Sequence, residues 1–315
     1  MKKFSFLLIV SLAVIFFSCD KSDDVIDVLN EDQVELNNTV KTVVASEEST
    51  EDVMVSVDYE TDLFSFAQES FDEVTSSTKC TAAERYRQMF QLWKRYKGEQ
   101  LPNVAVQFAD STRFPMTITI DYGDSTVLNN GRVLSGTIVI VLTAAPFTDG
   151  AVREITLDLV IDGIAVDGWK RIEFTGEQGV SRKFACTSEL TFTFPDETTL
   201  FRTAERTREW VSGLDTKWDV SDDRIEIRGS VTCVDSEQNE YSKTIDAENP
   251  LVRIGTCRVI VSGLVIFTQN QIEFARLDYG NGECDNTATY SYTNDAGETV
   301  TEEIEIGKHL RLRDK

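Results

Sequence analysis

Histidine is nearly missing from this chain: 315 residues hold one, His309. That scarcity excludes a multi-His metal centre and leaves any Ser or Cys nucleophile a single available base. Basic residues are also short, 31 Lys plus Arg against 54 Asp plus Glu, for a formal charge of −23. A chain this acidic repels a phosphate backbone, so no nucleic-acid partner is expected. Between Asp20 and Asp62 there is neither Gly nor Pro. Past the first nineteen residues no window approaches 18 apolar residues, so no membrane-spanning helix is expected. Neither a metal nor a cofactor is called for by any ligand spacing. What is present is a hydrophobic fraction of 41%, enough for one large domain or two small ones.

The N-terminus opens Met1-Lys2-Lys3, followed by an apolar run from Phe4 to Phe17 and then Ser18-Cys19. A short basic start and a run too short to span a bilayer read as a secretory signal over residues 1–18. The ending Phe16-Phe17-Ser18-Cys19 resembles a bacterial lipobox, which implies that Cys19 becomes the lipidated first residue. Diacyl or triacyl anchoring makes membrane attachment stable without a spanning helix. The following Asp20-Lys21-Ser22-Asp23-Asp24 resembles the acidic export signal of surface-exposed lipoproteins in Bacteroidota. That resemblance implies outer-membrane attachment facing the cell exterior; a generic acidic spacer facing the periplasm is the other reading.

From Asp20 to Asp62 the chain carries 14 acidic residues against Lys21 and Lys41, a charge of −12 over 43 residues. Apolar residues there are scattered, so residues 19–61 read as an extended, self-repelling tether that holds a domain off the membrane. Val53, Val55, Val57 and Tyr59 alternate, which fits a strand or the start of the domain.

Residues 62–101 read as a helical pair. Leu63, Ala67, Phe71 and Val74 share one helical face, and Thr81-Ala82-Ala83-Glu84 is a capping-box pattern. Tyr86, Met89, Phe90 and Trp93 follow at i, i+3, i+4, i+7, and Gly98 and Pro102 end the pattern. From Pro102 to Lys315 the period becomes two. Thr117–Ile120, Thr137–Leu142, Glu154–Ile161, Arg171–Phe174, Glu189–Phe194, Arg224–Arg228, Val259–Phe267 and Thr301–Ile306 are rich in β-branched residues. Turn chemistry separates many of them, as in Asp162-Gly163, Asp167-Gly168, Pro195-Asp196 and Asn281-Gly282. The fold class is therefore mainly β: an antiparallel meander, as a sandwich, open barrel or curved sheet, with the helical pair on one face.

Asp121-Tyr122-Gly123 recurs as Asp278-Tyr279-Gly280, each near a Ser-Gly strand, Ser135-Gly136 and Ser262-Gly263. Gly in such a strand suggests a bulge or a tight corner. Three blocks carry a family likeness: Ile118–Gly123 with Gly131-Arg132; Arg206-Thr207-Arg208-Glu209-Trp210; and Pro250-Leu251 through Cys257 to Leu277–Asn286. In this order they resemble a family of uncharacterised β-rich lipoproteins of Bacteroidota, over about residues 115 to 306. The resemblance implies compartment and fold class and supplies no mechanism.

Apart from Cys19, the cysteines are Cys80, Cys186, Cys233, Cys257 and Cys284. An exported chain permits disulfides, and the odd count leaves one thiol over. Cys257 opens a strand and Cys284 follows a Gly-Asn-Gly turn, so Cys257–Cys284 is the expected bridge. Cys186–Cys233 is a second candidate, and Cys80 the free thiol. Asp278–Asn286 is dense in oxygen ligands, but such a turn equally caps its own backbone. Arg206, Arg208 and Trp210 are the candidate binding residues: a surface Trp can stack on a sugar, or the Arg/Trp ladder is structural cation–π packing. The expected function is a non-enzymatic binding or structural module, with a glycan or host protein as the first ligands to test. A carboxylate-dependent hydrolase such as a glycosidase is the alternative, because that chemistry needs only two acids.

Overall fold

The structure is a computed structural model that describes residues 31–66, 101–109, 113–177, 179–216, 221–257, 259–294 and 296–307, with side chains of the first segment from residue 42 onward. Among the described residues one helix, α1 (Glu31–Phe66), precedes fifteen strands. They are β1 (Asn103–Phe108), β2 (Met116–Asp121), β3 (Thr126–Val127), β4 (Val133–Leu142), β5 (Val152–Ile161) and β6 (Ile164–Thr175). β7 (Arg182–Thr193), β8 (Thr199–Ser212), β9 (Arg224–Asp235), β10 (Glu240–Ile245) and β11 (Leu251–Ile254) follow. β12 (Ser262–Gln269), β13 (Ile272–Asn281), β14 (Thr287–Thr293) and β15 (Thr299–Glu305) complete the described strands.

All the strands belong to one antiparallel sheet whose order is nearly the chain order, β1-β2-β4-β5-β6-β7-β8-β9-β10-β12-β13-β14-β15. The short β3 pairs with β4, and β11 bridges β9 and β12. The expected meander is therefore a single open sheet; among the described residues no ladder joins β1 to β15. Alternation sets the two faces. In β5, Arg153, Ile155, Leu157, Leu159 and Ile161 are buried while Glu154, Thr156 and Asp158 point outward. The outward face is mostly polar, with Trp169 and Phe201 among its exposed apolar side chains, and the inward face packs into one core with α1.

Two glycines show what the register demands. Gly263 has φ +118 at a register shift in the β12–β13 ladder, and a Cβ there would lie 2.4 Å from the Pro250 carbonyl oxygen. That is the bulge anticipated for the Ser-Gly strand. Asp167-Gly168, by contrast, is not a turn: it lies inside β6, paired with Thr191 and Leu190 of β7. A Cβ on Gly168 would sit 2.2 Å from the Glu189 carbonyl oxygen, so glycine here permits a close backbone approach.

The N-terminal part of the domain departs most from expectation. Residues 31–66 are not a tether followed by a new helix but one helix of 36 residues. Val44, Val53, Val57 and Phe64 are buried in the common core, as are Glu47, Asp52 and Glu60. Val53, Val55 and Val57 alternate in sequence yet lie on the helix. Its many β-branched residues make α1 an intrinsically poor helix former, so tertiary contacts hold it. The second predicted helix, residues 81–98, lies outside the described residues, as does 67–80.

Candidate functional site

The acidic residues of α1 that meet the sheet fall on two stripes at helical spacing. Glu47, Glu51, Asp58 and Asp62 form one; Asp52 and Glu60, with Ser56 between them, form the other. Inward-facing cations of the sheet meet the first stripe. Lys243 of β10 binds Glu47 and Glu51; Arg202 and Arg206 of β8 also bind Glu51, each at 2.8–2.9 Å. Asp58 takes Lys170 of β6 and Arg208 of β8, and Asp62 takes Arg208 and Arg153 of β5. On the second stripe Arg132 binds Asp52 at 3.0 Å and donates to Ser56 Oγ, while the Tyr122 hydroxyl donates to Glu60 at 2.8 Å. Partners that run from beside β2 to β10 place the helix inside the curl of the sheet.

Burial and charge oppose each other at these carboxyls. Burial alone would raise Glu51; Arg206, Lys243 and Arg202 outweigh it and hold the group well below the usual range. Asp58 is likewise depressed, because Arg208 and Lys170 overcome burial, and Asp62 because Arg208 and Arg153 do. Glu47 goes the other way: its burial exceeds the attraction of Lys243 and its carboxyl is raised.

Arg206, Arg208 and Trp210 therefore do not form a sugar platform on an outer surface. Both arginines point at α1, and Trp210 is 8% exposed, packed edge-on to Phe184 at 5.2 Å with Arg208 and Arg182 over its ring. The physical reason is parity: residues 200, 202, 204, 206, 208 and 210 share the inward face of β8. The alternative reading of that ladder, cation–π packing, is the one the geometry shows. Among the described tryptophans Trp169 is the exposed one, at 42%, and its indole nitrogen donates to Glu189.

Cys257 and Cys284 are bridged, with Cα atoms 5.7 Å apart. Cys186 and Cys233 are buried free thiols, which corrects the second pairing. Cys19, Asp20, Lys21, Ser22, Asp23, Asp24 and Cys80 lie outside the described residues. The Asp-Tyr-Gly echoes share a local cap, Asp121 accepting from the Gly123 amide and Asp278 from the Gly280 amide, both at 2.8 Å, but the first turns off the end of β2 while the second stays within β13.

At the C-terminal end of α1 an open pocket of about 360 Å³ is lined by Phe147, Phe174, Ser181, Arg182, Leu214 and Asp215. Phe66, the last helical residue, stacks on Phe147 at 4.7 Å, and Phe147 meets Phe174 edge-on. Phe147 holds φ 65, a conformation uncommon for a bulky residue. The Arg182 guanidinium lies over Phe147 at 5.0 Å and over Trp210 at 5.3 Å, and it forms no ion pair among the described residues. Burial lowers its pKa, and the nearby Asp223, Asp62 and Asp222 oppose that shift. Sequence reading missed this pocket because its residues come from four separate stretches with no shared motif. No protein-family model, no curated protein and no solved structure matches the chain.

Proposed function

We propose that the chain is a lipid-anchored, non-enzymatic binding module of the outer membrane, displayed at the cell surface. Its ligand site is the pocket at the end of α1. The signal-like N-terminus, the lipobox resemblance at Cys19 and the acidic residues Asp20, Asp23 and Asp24 support the anchored, exported reading. The helix shortens the tether: only residues 20–30 separate Cys19 from α1, so the helix begins within about 40 Å of the lipid.

The observation that carries the ligand site is Arg182, a guanidinium packed between two aromatic rings at a pocket wall, which feels Asp223, Asp62 and Asp222 but forms no salt bridge among the described residues. Such a group recognises an anion, and Phe174 and Leu214 offer apolar contact beside it. Acidic glycans are the first ligand class to test. A glycosidase would need two facing carboxyls, and Asp215 is the one among the described pocket residues. An array of acidic and neutral glycans should give signal with the acidic set, and Arg182→Met should remove it without changing the far-UV circular dichroism. Equal binding by Arg182→Met would overturn the site. For display, Cys19→Ser should abolish acyl labelling, and protease on intact cells should cleave the wild-type domain.

A further inference from the structure

A second cavity, of about 40 Å³, lies between α1 and the sheet and is separate from the open pocket. Five basic side chains line it, Lys170, Arg202, Arg206, Arg208 and Arg253, against two carboxylates, Glu51 and Asp58. The carboxylates are fully engaged by Lys170, Arg202, Arg206, Arg208 and Lys243. Arg253 of β11 enters no ion pair or hydrogen bond among the described residues; burial and the neighbouring Arg208 disfavour its charge, outweighing the pull of Asp58, Asp62 and Asp223.

The donors left over point to what fills the space. Arg202 Nε, Arg206 Nε, Arg208 Nε and Nη2, and Arg253 Nε are buried without an acceptor among the described residues. Arg202 and Arg208 are 1% and 4% exposed, so bulk water does not serve them. Buried donors in native proteins find partners, and a surplus of positive charge in a weakly polarisable interior favours an anion over a neutral molecule. The volume exceeds the ~10–15 Å³ that one water requires, so a monatomic anion fits. We infer that this cavity is a structural anion site that takes chloride, completing the ion-pair layer between α1 and β6, β8 and β11.

The test uses the full chain. At constant ionic strength, sodium chloride in place of sodium gluconate should raise the melting temperature saturably, by roughly 2–4 °C at several times the dissociation constant. Crystals grown in sodium bromide should show an anomalous peak among Arg202, Arg208 and Arg253. Arg253→Met should remove the chloride-dependent rise while chloride-independent melting persists. Identical melting in the two salts, with no bromide peak, would mean that the cavity holds water and would overturn the proposal. The outcome is independent of the Arg182 pocket, which shares no lining residue with this cavity.

Discussion

Strands β5 and β8 line the same interior and fill it by opposite means. The inward row of β5 is Arg153 followed by Ile155, Leu157, Leu159 and Ile161; that of β8 is Leu200, Arg202, Ala204, Arg206, Arg208 and Trp210. On β5 the transfer of apolar surface from water stabilises the fold directly. On β8 the desolvation of three guanidinium groups opposes folding, and only the carboxylates of α1 offset it. The apolar row would suit many partners. The cationic row suits a helix with acids at 47, 51, 58 and 62, so it fixes which segment occupies the interior and in what register.

Acid should separate the two regions most widely. Glu51, Asp58 and Asp62 have folded-state pKa values below their ordinary ones. Their contribution is present above the unfolded value and is lost as pH falls through the folded one. Glu47 has the opposite sign: its raised carboxyl favours the fold below its ordinary value, and that contribution disappears as pH rises. Three groups outweigh one, so melting temperature should drop steeply below about pH 4. A thermal series from pH 7 to pH 2 measures this, and a flat profile would show that α1 is not held by its charges.

At neutral pH, Glu51→Ala should be the most damaging single change on the charged side. It strands Arg202, Arg206 and Lys243, which share this carboxylate. Breaking a buried pair from one side costs about 3–5 kcal/mol. Ile155→Val on the apolar side removes one buried methylene and should cost about 1 kcal/mol. Urea midpoints of the two variants compare the rows directly. If the order is reversed, the ion-pair layer is less important to the fold than the transfer of apolar surface.

The contrast also explains what could be read from the chain before its structure. Period-two patterning located the strands because Ile118, Ile120, Ile155 and Leu157 each face the core and their neighbours do not. Hairpin chemistry at Asp162-Gly163, both with positive φ, located a turn. Helix α1 was hidden because its stabilising partners lie up to 196 residues away, as for Glu47 and Lys243. Taken alone, a dense acidic segment repels itself and reads as extended. The complementary signal sat in Arg202, Arg206 and Arg208: a strand whose inward parity is basic needs acids inside. Arg182 gave no such signal, since Phe147 and Leu214 join its pocket only through the sheet and the loops that close its end.

The smallest expected effect tests the attribution itself. Arg276 and Glu273 on β13 form an ion pair with the same chemistry as those on α1, one of its contacts at 3.0 Å, but both side chains are more than two-fifths exposed. Water solvates both partners whether or not they meet, and ordering two long side chains offsets most of the attraction. Arg276→Ala should therefore change stability by no more than about 0.5 kcal/mol, and moderate salt should erase even that. Glu51→Ala should keep its cost in the same salt, because the interior is screened far less. Chemical denaturation of both variants in low and moderate salt makes the comparison. Equal losses would mean that pairing, irrespective of burial, sets the scale; unequal losses assign it to the desolvation of β8 against α1.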